Sequence, residues 1–192
     1  MRERIIETAT ELFAHNGYHA VGIARIVEEA KVSRVALYNN FASKEELILV
    51  VLRRRDEAVR NVIMREACKG AAGPRDRLLK LFDFLGAWSE QTDFTGCMFL
   101  NAVAEYHALD DPIHRVAVEH KRLMLSYIEK QCREGGAADP SMLAHQLYVL
   151  FDGAIVQAHA TGEADPRVAA ARAAATALID QAGVRNKART DA

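Results

Sequence analysis

The sequence has little of several features that mark particular classes of protein. It contains only three cysteines, Cys68, Cys97 and Cys132, which lie far apart and form no Cys-x-x-Cys pair. Such a set argues against a disulfide framework and against a structural zinc site. No apolar run approaches the ~18 residues of a membrane span, and the charged N-terminus lacks the apolar segment of a secretory signal. These absences predict a cytoplasmic protein with no membrane partner.

The motifs of common enzyme classes are also missing. The sequence has no Gly-x-Ser-x-Gly, no phosphate-binding loop, no dinucleotide fingerprint and no His-Glu-x-x-His pair. Enzymes use these motifs to position nucleophiles, phosphates or zinc. A metal site from Glu105, His107, His114 and His120 is disfavoured because His114 and His120 do not share a helix face and Pro112 interrupts the helix before them. We therefore expect no catalysis, no cofactor and no metal.

Charge of one sign is not in excess either. The formal net charge is −1 over 192 residues, which excludes the whole-chain electrostatics of a histone-like protein. Residues 1–55 nevertheless carry nine Lys/Arg against seven acidic residues. This modest local excess leaves room for DNA binding by the N-terminal part.

What the sequence does contain is a series of helix signals. Asp111-Pro112, Asp139-Pro140 and Asp165-Pro166 each predict a helix start, because aspartate accepts backbone N–H bonds and proline gives up a donor that the first turn does not need. Pro74, after Gly73, predicts another. Apolar residues recur at a spacing near 3.6, and no segment alternates like a strand. The fold class is therefore all-α, with about nine helices.

The first fifty residues predict a helix-turn-helix unit. The predicted helices are Arg2–His15, Ile23–Ala30 and Arg34–Phe41, and Ser43 with Glu46 caps a long fourth helix. Two short helices joined by a tight turn and braced by a longer one form this unit, and its second short helix enters the major groove of DNA. From the pattern alone a purely protein-binding unit stays open.

The predicted recognition helix carries suitable side chains. Ser33 can cap it and donate to a phosphate, and Leu37 and Phe41, four residues apart, can anchor it to its own core. The other residues offer cationic, hydroxyl and amide groups for phosphates and base edges, or allow close approach. The candidate DNA-binding residues in and just after this helix are Ser33, Arg34, Val35, Ala36, Tyr38, Asn39, Asn40 and Lys44.

These residues carry a resemblance to a known family. The sequence resembles the DNA-binding domain of the TetR family of transcriptional regulators in Arg4-Ile5-Ile6, Leu12-Phe13, Gly17-Tyr18, the run from Ile26 to Ser33 and the run from Ala36 to Leu47. The resemblance implies a helical homodimer with a variable effector pocket in its C-terminal domain. It also implies operator contacts for Ser33, Arg34, Ala36, Tyr38, Asn39, Asn40 and Lys44. The chain departs from the family at Val21-Gly22, Val35, Asn39, Asn40 and Arg25, where Arg25 offers a replacement phosphate contact.

The rest of the chain predicts a dimer interface and a ligand pocket. Leu143–Ala158 is apolar nearly all round and Val168–Ile179 is rich in alanine, which favours a two-fold interface through the last two helices. The segment Phe94–Leu109 places Cys97, Asn101 and Glu105 on one helix face. The candidate ligand-binding residues are Trp88, Cys97, Phe99, Asn101, Glu105, His120, Met124, Tyr127 and Phe151, each of which could instead belong to the core or to a solvated face.

The resemblance, together with the predicted DNA-binding unit and pocket, implies a dimeric repressor that binds a near-palindromic operator and is released by a mostly apolar small molecule. The predicted domains are residues 1–47 for DNA binding, 48–185 for effector binding and dimerisation, and 186–192 as a disordered tail. The alternatives are a helical protein-interaction module without DNA binding, and a repressor that senses oxidants or electrophiles through Cys97, which has no basic neighbour in the sequence.

Overall fold

The computed structural model describes residues 1–163 and 166–186. Within these residues the chain forms nine α-helices and no β-strand, which confirms the all-helical prediction. The helices are α1 (Arg2–Asn16), α2 (Ile23–Glu29), α3 (Arg34–Tyr38), α4 (Lys44–Cys68), α5 (Pro74–Ser89), α6 (Met98–Glu105), α7 (Pro112–Glu134), α8 (Pro140–Thr161) and α9 (Arg167–Gln181).

Aspartate and proline start the helices in the way that the sequence predicts. The Asp111 carboxylate accepts the N–H of Ile113 at 2.7 Å before α7, and the Asp139 carboxylate accepts the N–H of Met142 at 3.0 Å before α8. Each carboxylate satisfies a backbone donor that the first helical turn leaves without a partner. The third predicted cap, Asp165, lies outside the described residues.

The helices group into two compact units. The first unit comprises Met1–Ala58 and Cys97–Lys121, and the second comprises Val59–Gly96 and the described residues from Arg122 onward. Two of the three unit boundaries fall within α4 and α7, and the third lies between α5 and α6. In this grouping α6 and the first half of α7 join the N-terminal helices, and the predicted boundary at residue 47 stays a prediction.

One residue of the predicted disordered tail is ordered. Asn186 donates from Nδ2 to Asp76 Oδ1 at 2.8 Å, and its Oδ1 accepts the N–H of Asp76 at 3.1 Å. The bond from Asn186 Nδ2 and a second bond from the N–H of Ala72 hold the pKa of the Asp76 carboxyl below its ordinary value. The prediction was wrong at Asn186, and the rest of the predicted tail lies outside the described residues.

The first unit has a continuous apolar core. α1 contributes a stripe of Ile5, Ile6, Ala9, Leu12 and Phe13, all buried. The Phe13 ring lies 5.3 Å from the ring of Tyr18. A fully buried side chain of this size contributes about 1.5–3 kcal/mol to the stability of the unit.

The second unit packs α5, α8 and α9 together. α5 buries a stripe of Leu78, Leu81, Phe82 and Leu85. The Phe82 ring meets Phe151 of α8 edge-on, with 5.8 Å between ring centroids. Alanines on the buried side of α9 allow α9 to approach its neighbours closely, because a methyl group adds little bulk.

Candidate functional site

The turn between α2 and α3 forms the centre of the predicted helix-turn-helix. Lys31 adopts a left-handed conformation with φ of 50°. The N–H of Val32 donates to Val27 O at 3.1 Å, and Arg4 of α1 donates from Nη2 to Lys31 O at 3.2 Å. The turn is therefore fixed both by its own backbone and by the first helix.

α3 begins as predicted but ends sooner. Ser33 Oγ accepts the N–H of Ala36 at 3.0 Å, which confirms the predicted cap. The helix ends at Tyr38, three residues before the predicted end at Phe41. Asn40 explains the difference, because its side-chain amide donates to Ala36 O at 2.7 Å. A continuing helix would use that carbonyl for the backbone N–H of Asn40, which instead donates to Leu37 O at 2.9 Å.

The two sides of α3 differ in character. Leu37 is fully buried and Phe41, just beyond the helix, is 1% exposed, so both anchor α3 as predicted. On the opposite side Val35 is 69% exposed and Tyr38 is 43% exposed. The guanidinium carbon of Arg34 lies 5.8 Å from the centroid of the Tyr38 ring, within cation–π range. This side therefore presents a cation, a phenol and an apolar side chain to solvent.

Other candidate DNA-binding residues already have contacts within the chain. Arg25 donates from Nε to Glu29 at 2.9 Å and from Nη1 to Asn16 at 3.1 Å. Lys44 Nζ lies 3.5 Å from His19 O at the start of α4. Asn39 is exposed, and Ala36 is half-buried. DNA contacts by these residues stay a prediction.

The cap of α4 differs in one bond from the predicted capping box. Ser43 Oγ accepts the N–H of Glu46 at 3.1 Å, as predicted. The Glu46 carboxylate accepts the N–H of Ala42 at 2.6 Å rather than that of Ser43. Either return bond satisfies a backbone donor ahead of the helix, so α4 still begins where the sequence predicts.

Glu105 has a structural contact that the sequence analysis missed. Its carboxylate accepts the N–H of Tyr18 at 2.8 Å and the N–H of His19 at 2.6 Å, and lies 2.9 Å from His19 Nδ1. At the other end of α6, the Tyr18 hydroxyl donates to Met98 O at 2.9 Å. Both ends of α6 are thus attached to the loop between α1 and α2. We call this set of contacts, formed by Tyr18, His19, Met98 and Glu105, the α6 clamp.

The electrostatics of the α6 clamp follow from its hydrogen bonds. Burial raises the pKa of the Glu105 carboxyl, but the bonds donated by His19 and Tyr18 outweigh it and leave the pKa below its ordinary value. Gly17 makes room for this carboxylate, since a Cβ there would lie 2.6 Å from Glu105 Oε1. The sequence carries no signal of this contact, because Gly17 and Glu105 are 88 positions apart.

Five of the candidate ligand-binding residues lie in the first unit. Cys97 precedes α6 with Lys121 Nζ 3.8 Å from its sulfur, and Asn101 is half-buried. His120 is 5% exposed, and its Nδ1 lies 2.7 Å from Asp56 Oδ1. The Phe99 ring stacks on His120 with 3.7 Å between centroids. The Glu105 carboxylate accepts the hydrogen bonds of the α6 clamp, whereas the sequence predicted that it faces a ligand together with Cys97 and Asn101.

The other four candidates lie in the second unit. Met124 is buried, and Phe151 packs in the core described above. Burial raises the pKa of Tyr127, whose hydroxyl has no hydrogen bond of ordinary geometry within the described residues. Trp88 meets Phe94 edge-on at 4.9 Å. Phe94 and His159 line a cavity of about 490 Å³ between the ends of α5 and α8.

The described residues contain neither a grouped metal-ligand set nor a membrane-spanning helix. In the described ranges no three His, Cys, Asp or Glu side chains are grouped so that they could hold a metal ion. No helix in the same ranges is long and apolar enough to cross a membrane.

Comparisons with known proteins agree with this geometry. Residues 5–51 match the family model described as bacterial regulatory proteins, tetR family, and residues 74–174 match that of the tetracyclin repressor-like C-terminal domain. The transcriptional activator FasR of Mycolicibacterium smegmatis is 39% identical over 89 residues, 44% of this chain and 40% of FasR. The chain thus aligns with less than half the length of this relative.

Two solved structures resemble almost the whole chain. A TetR-family transcriptional regulator from Streptomyces coelicolor superposes with a TM-score of 0.89 at 28% identity, covering 95% of both chains. A putative TetR regulator from Streptomyces avermitilis gives a TM-score of 0.86 at 32% identity, covering 96% of this chain and 98% of that one. These relatives are transcriptional regulators and not enzymes. The chain therefore belongs to the TetR family, and it is a DNA-binding regulator of transcription.

Proposed function

We propose that this regulator is a homodimeric repressor that binds a near-palindromic operator through α3 and is released by a small molecule. The observation that carries the proposal is the exposed side of α3, where Arg34, Val35 and Tyr38 stand on a helix anchored by Leu37. As a regulator of bacterial transcription it acts in the cytoplasm, where the DNA lies.

The chemistry of α3 supports operator binding. An arginine can pair with a guanine edge or a phosphate, a phenol can donate to a phosphate, and an exposed valine can contact a thymine methyl group. Ser33 Oγ accepts a backbone N–H, which leaves its hydroxyl proton available to a phosphate. Each good base contact contributes about 1–3 kcal/mol of discrimination.

Exposed apolar side chains on α8 support the homodimer. Met142 is 57% exposed, Val149 is 72% exposed and Val156 is 48% exposed. Their spacing of seven residues puts them on one side of the helix, and exposed alanines follow a similar line on α9. A second copy would cover both lines through a two-fold axis and would supply the second α3 that a palindromic operator requires.

Fluorescence anisotropy tests the DNA contact. The probe is a duplex selected by the protein from genomic fragments, and the variant is Arg34→Gln. Arg133→Gln is the matched control, because Arg133 is exposed and paired with Glu129 on α7 in the second unit. We expect Arg34→Gln to weaken binding about tenfold or more and to reduce its salt dependence, with Arg133→Gln unchanged. Equal binding by all three proteins would contradict the proposed contact.

Sedimentation tests the dimer. Val149→Glu places a charge in the centre of the proposed interface, whereas Val118→Glu places it on an exposed site of α7 in the first unit. We expect Val149→Glu to yield monomers at concentrations where wild type and Val118→Glu are dimers. Dimeric Val149→Glu would show that the interface lies elsewhere.

A reporter assay tests repression and release. Bound over a promoter, a dimer occupies DNA that polymerase needs, so deletion of the regulator should raise expression from its operator. FasR is named as an activator, and a fall in expression would assign that mode here. The predicted effector is mostly apolar, and release requires that it bind the non-DNA-binding state more tightly.

Sensing through Cys97 is a second candidate, and Lys121 favours it. The sequence places no basic residue beside Cys97, but the fold brings Lys121 Nζ to 3.8 Å from its sulfur. A neighbouring cation stabilises a thiolate, which is the form that attacks an electrophilic carbon. The test is operator release by N-ethylmaleimide, which forms an S–C bond with the thiolate and takes up a proton from water. Release that persists in Cys97→Ser would exclude this mode.

A further inference from the structure

A cleft lies between α4 and α7 within the first unit. It has a volume of about 410 Å³ and is lined by Arg53 and Asp56 of α4 and by Pro112, Arg115, Val116 and His120 of α7. Sites for small molecules usually have volumes of about 300–1,000 Å³. The cleft is therefore large enough for a compact organic ligand.

One wall of the cleft is held rigidly. His120 is 5% exposed, its Nδ1 lies 2.7 Å from Asp56 Oδ1, and its ring stacks on Phe99 with an interplanar angle of 9°. These two contacts fix both the position and the plane of the imidazole. A wall fixed before the ligand arrives reduces the entropy lost on binding.

The acidic side chains of the cleft have interaction partners within the chain, whereas the guanidinium groups of its two arginines do not form salt bridges or hydrogen bonds with the described residues. Asp56 is bonded to His120, and Glu119, which also lines the cleft, has an interaction partner of its own. Arg53 and Arg115 are exposed. Within the described part of the chain, neither guanidinium has a salt bridge or a hydrogen bond. The cleft thus offers two cations to a ligand, while its acids are already engaged.

We propose that this cleft binds a small organic carboxylate. Arg53 and Arg115 pair with the carboxylate group, whose two oxygens match the forked donors of a guanidinium. Pro112 and Val116 cover the apolar part of the molecule. A single negative charge suits the cleft better than a phosphate dianion, because the carboxylates of Asp56 and Glu119 line the same walls. That the carboxylate acts as the effector rests on the proposed function, whereas its binding does not.

The test compares carboxylates with their neutral amides. The probes are benzoate and hexanoate beside benzamide and hexanamide, titrated at constant ionic strength into the ¹⁵N-labelled full chain. Arg53→Gln and Arg115→Gln remove one cation each from exposed positions, so both variants should fold. Arg65→Gln is the matched control, because Arg65 is an exposed arginine of the same helix that contacts Glu66 instead of the cleft.

We expect the carboxylates to shift the backbone amide signals of residues 53–56 and 112–120, and the amides to leave them unchanged. Loss of either arginine should weaken carboxylate binding about tenfold, with Arg65→Gln unchanged. Higher salt should also weaken binding, since both arginines are exposed. The proposal is overturned if no carboxylate shifts these signals, if the amides bind as tightly as the carboxylates, or if a protein with both Arg53→Gln and Arg115→Gln binds carboxylate as wild type does.

Binding to an operator duplex is measured in parallel on the same proteins. Operator binding without carboxylate binding would overturn this inference and leave the proposed function intact. Carboxylate binding that leaves operator affinity unchanged would establish the site but not its role as the effector site.

Discussion

Replacing Glu105 by glutamine should loosen the α6 clamp without changing its shape. The carboxylate accepts the backbone N–H groups of Tyr18 and His19, and its side chain is 25% exposed. A hydrogen bond to a charged acceptor contributes about 1.5–3 kcal/mol and a neutral one about 0.5–1.5 kcal/mol. Losing the charge on two such bonds lowers the free energy of unfolding by about 2 kcal/mol.

The size of this effect should depend on pH in a defined direction. The pKa of the Glu105 carboxyl in the folded protein lies below its ordinary value of 4.5. The unfolded chain therefore takes up a proton first as the pH falls, and the stabilisation by the carboxylate is complete only above about pH 4.5. It is lost as the pH falls through the lower folded-state pKa. The stability difference between wild type and Glu105→Gln should thus be largest near pH 7 and shrink toward pH 3.

Two measurements check these values. Urea unfolding at a fixed protomer concentration gives the stability difference, and hydrogen exchange of the Tyr18 and His19 amides reports the clamp itself. These amides should exchange about thirtyfold faster in Glu105→Gln, since 1.4 kcal/mol corresponds to a factor of ten. Glu57→Gln is the control, being the same change at an exposed position of the first unit. The reasoning would be refuted if Glu105→Gln lowered the free energy of unfolding by less than about 0.5 kcal/mol. It would also be refuted if the Tyr18 and His19 amides of wild type were not protected from hydrogen exchange.

Two further predictions concern glycine and cysteine positions. Gly17→Ala should destabilise the protein by about 2–4 kcal/mol, because the φ of 78° and ψ of 175° of Gly17 suit glycine alone and the new methyl group would displace Glu105. Gly162→Ala, with open space at its Cβ, should destabilise it by only about 1–2 kcal/mol. Equal losses of unfolding free energy in urea would argue against the clash with Glu105. Burial raises the pKa of the Cys132 thiol to about 12. A maleimide at pH 8 should therefore label exposed Cys68 and leave Cys132 unmodified until urea unfolds the chain. A label found on Cys132 of the native protein by mass spectrometry would contradict this expectation.

The helices were predictable because their signals are local. The Asp111 and Asp139 caps act within three residues, and the stripe of α1 repeats with the period of the helix. The end of α3 was not predictable in the same way. Asn40 is compatible with both a helix and a turn, and only the direction of its amide toward Ala36 O decides between them.

The parts of the candidate site that depend on distant residues could not be obtained from the sequence. Glu105 lies 87 positions from Tyr18 and 86 from His19, and the helical spacing of Glu105 with Asn101 pointed instead to a shared ligand-facing line. Lys121 lies 24 positions from Cys97. Neither pair produces a periodic or spacing signal, because each forms only when α6 packs into the first unit.

The central claim, that α3 reads an operator, is tested most directly by footprinting on the DNA upstream of the gene that encodes this chain. Wild type and Tyr38→Ala are compared at two salt concentrations, and Tyr38 is exposed enough for its loss to leave the fold intact. We predict a protected near-palindrome that Tyr38→Ala loses and that higher salt weakens, because bound phosphates release counterions. A protected sequence that Tyr38→Ala binds equally well would contradict the claim.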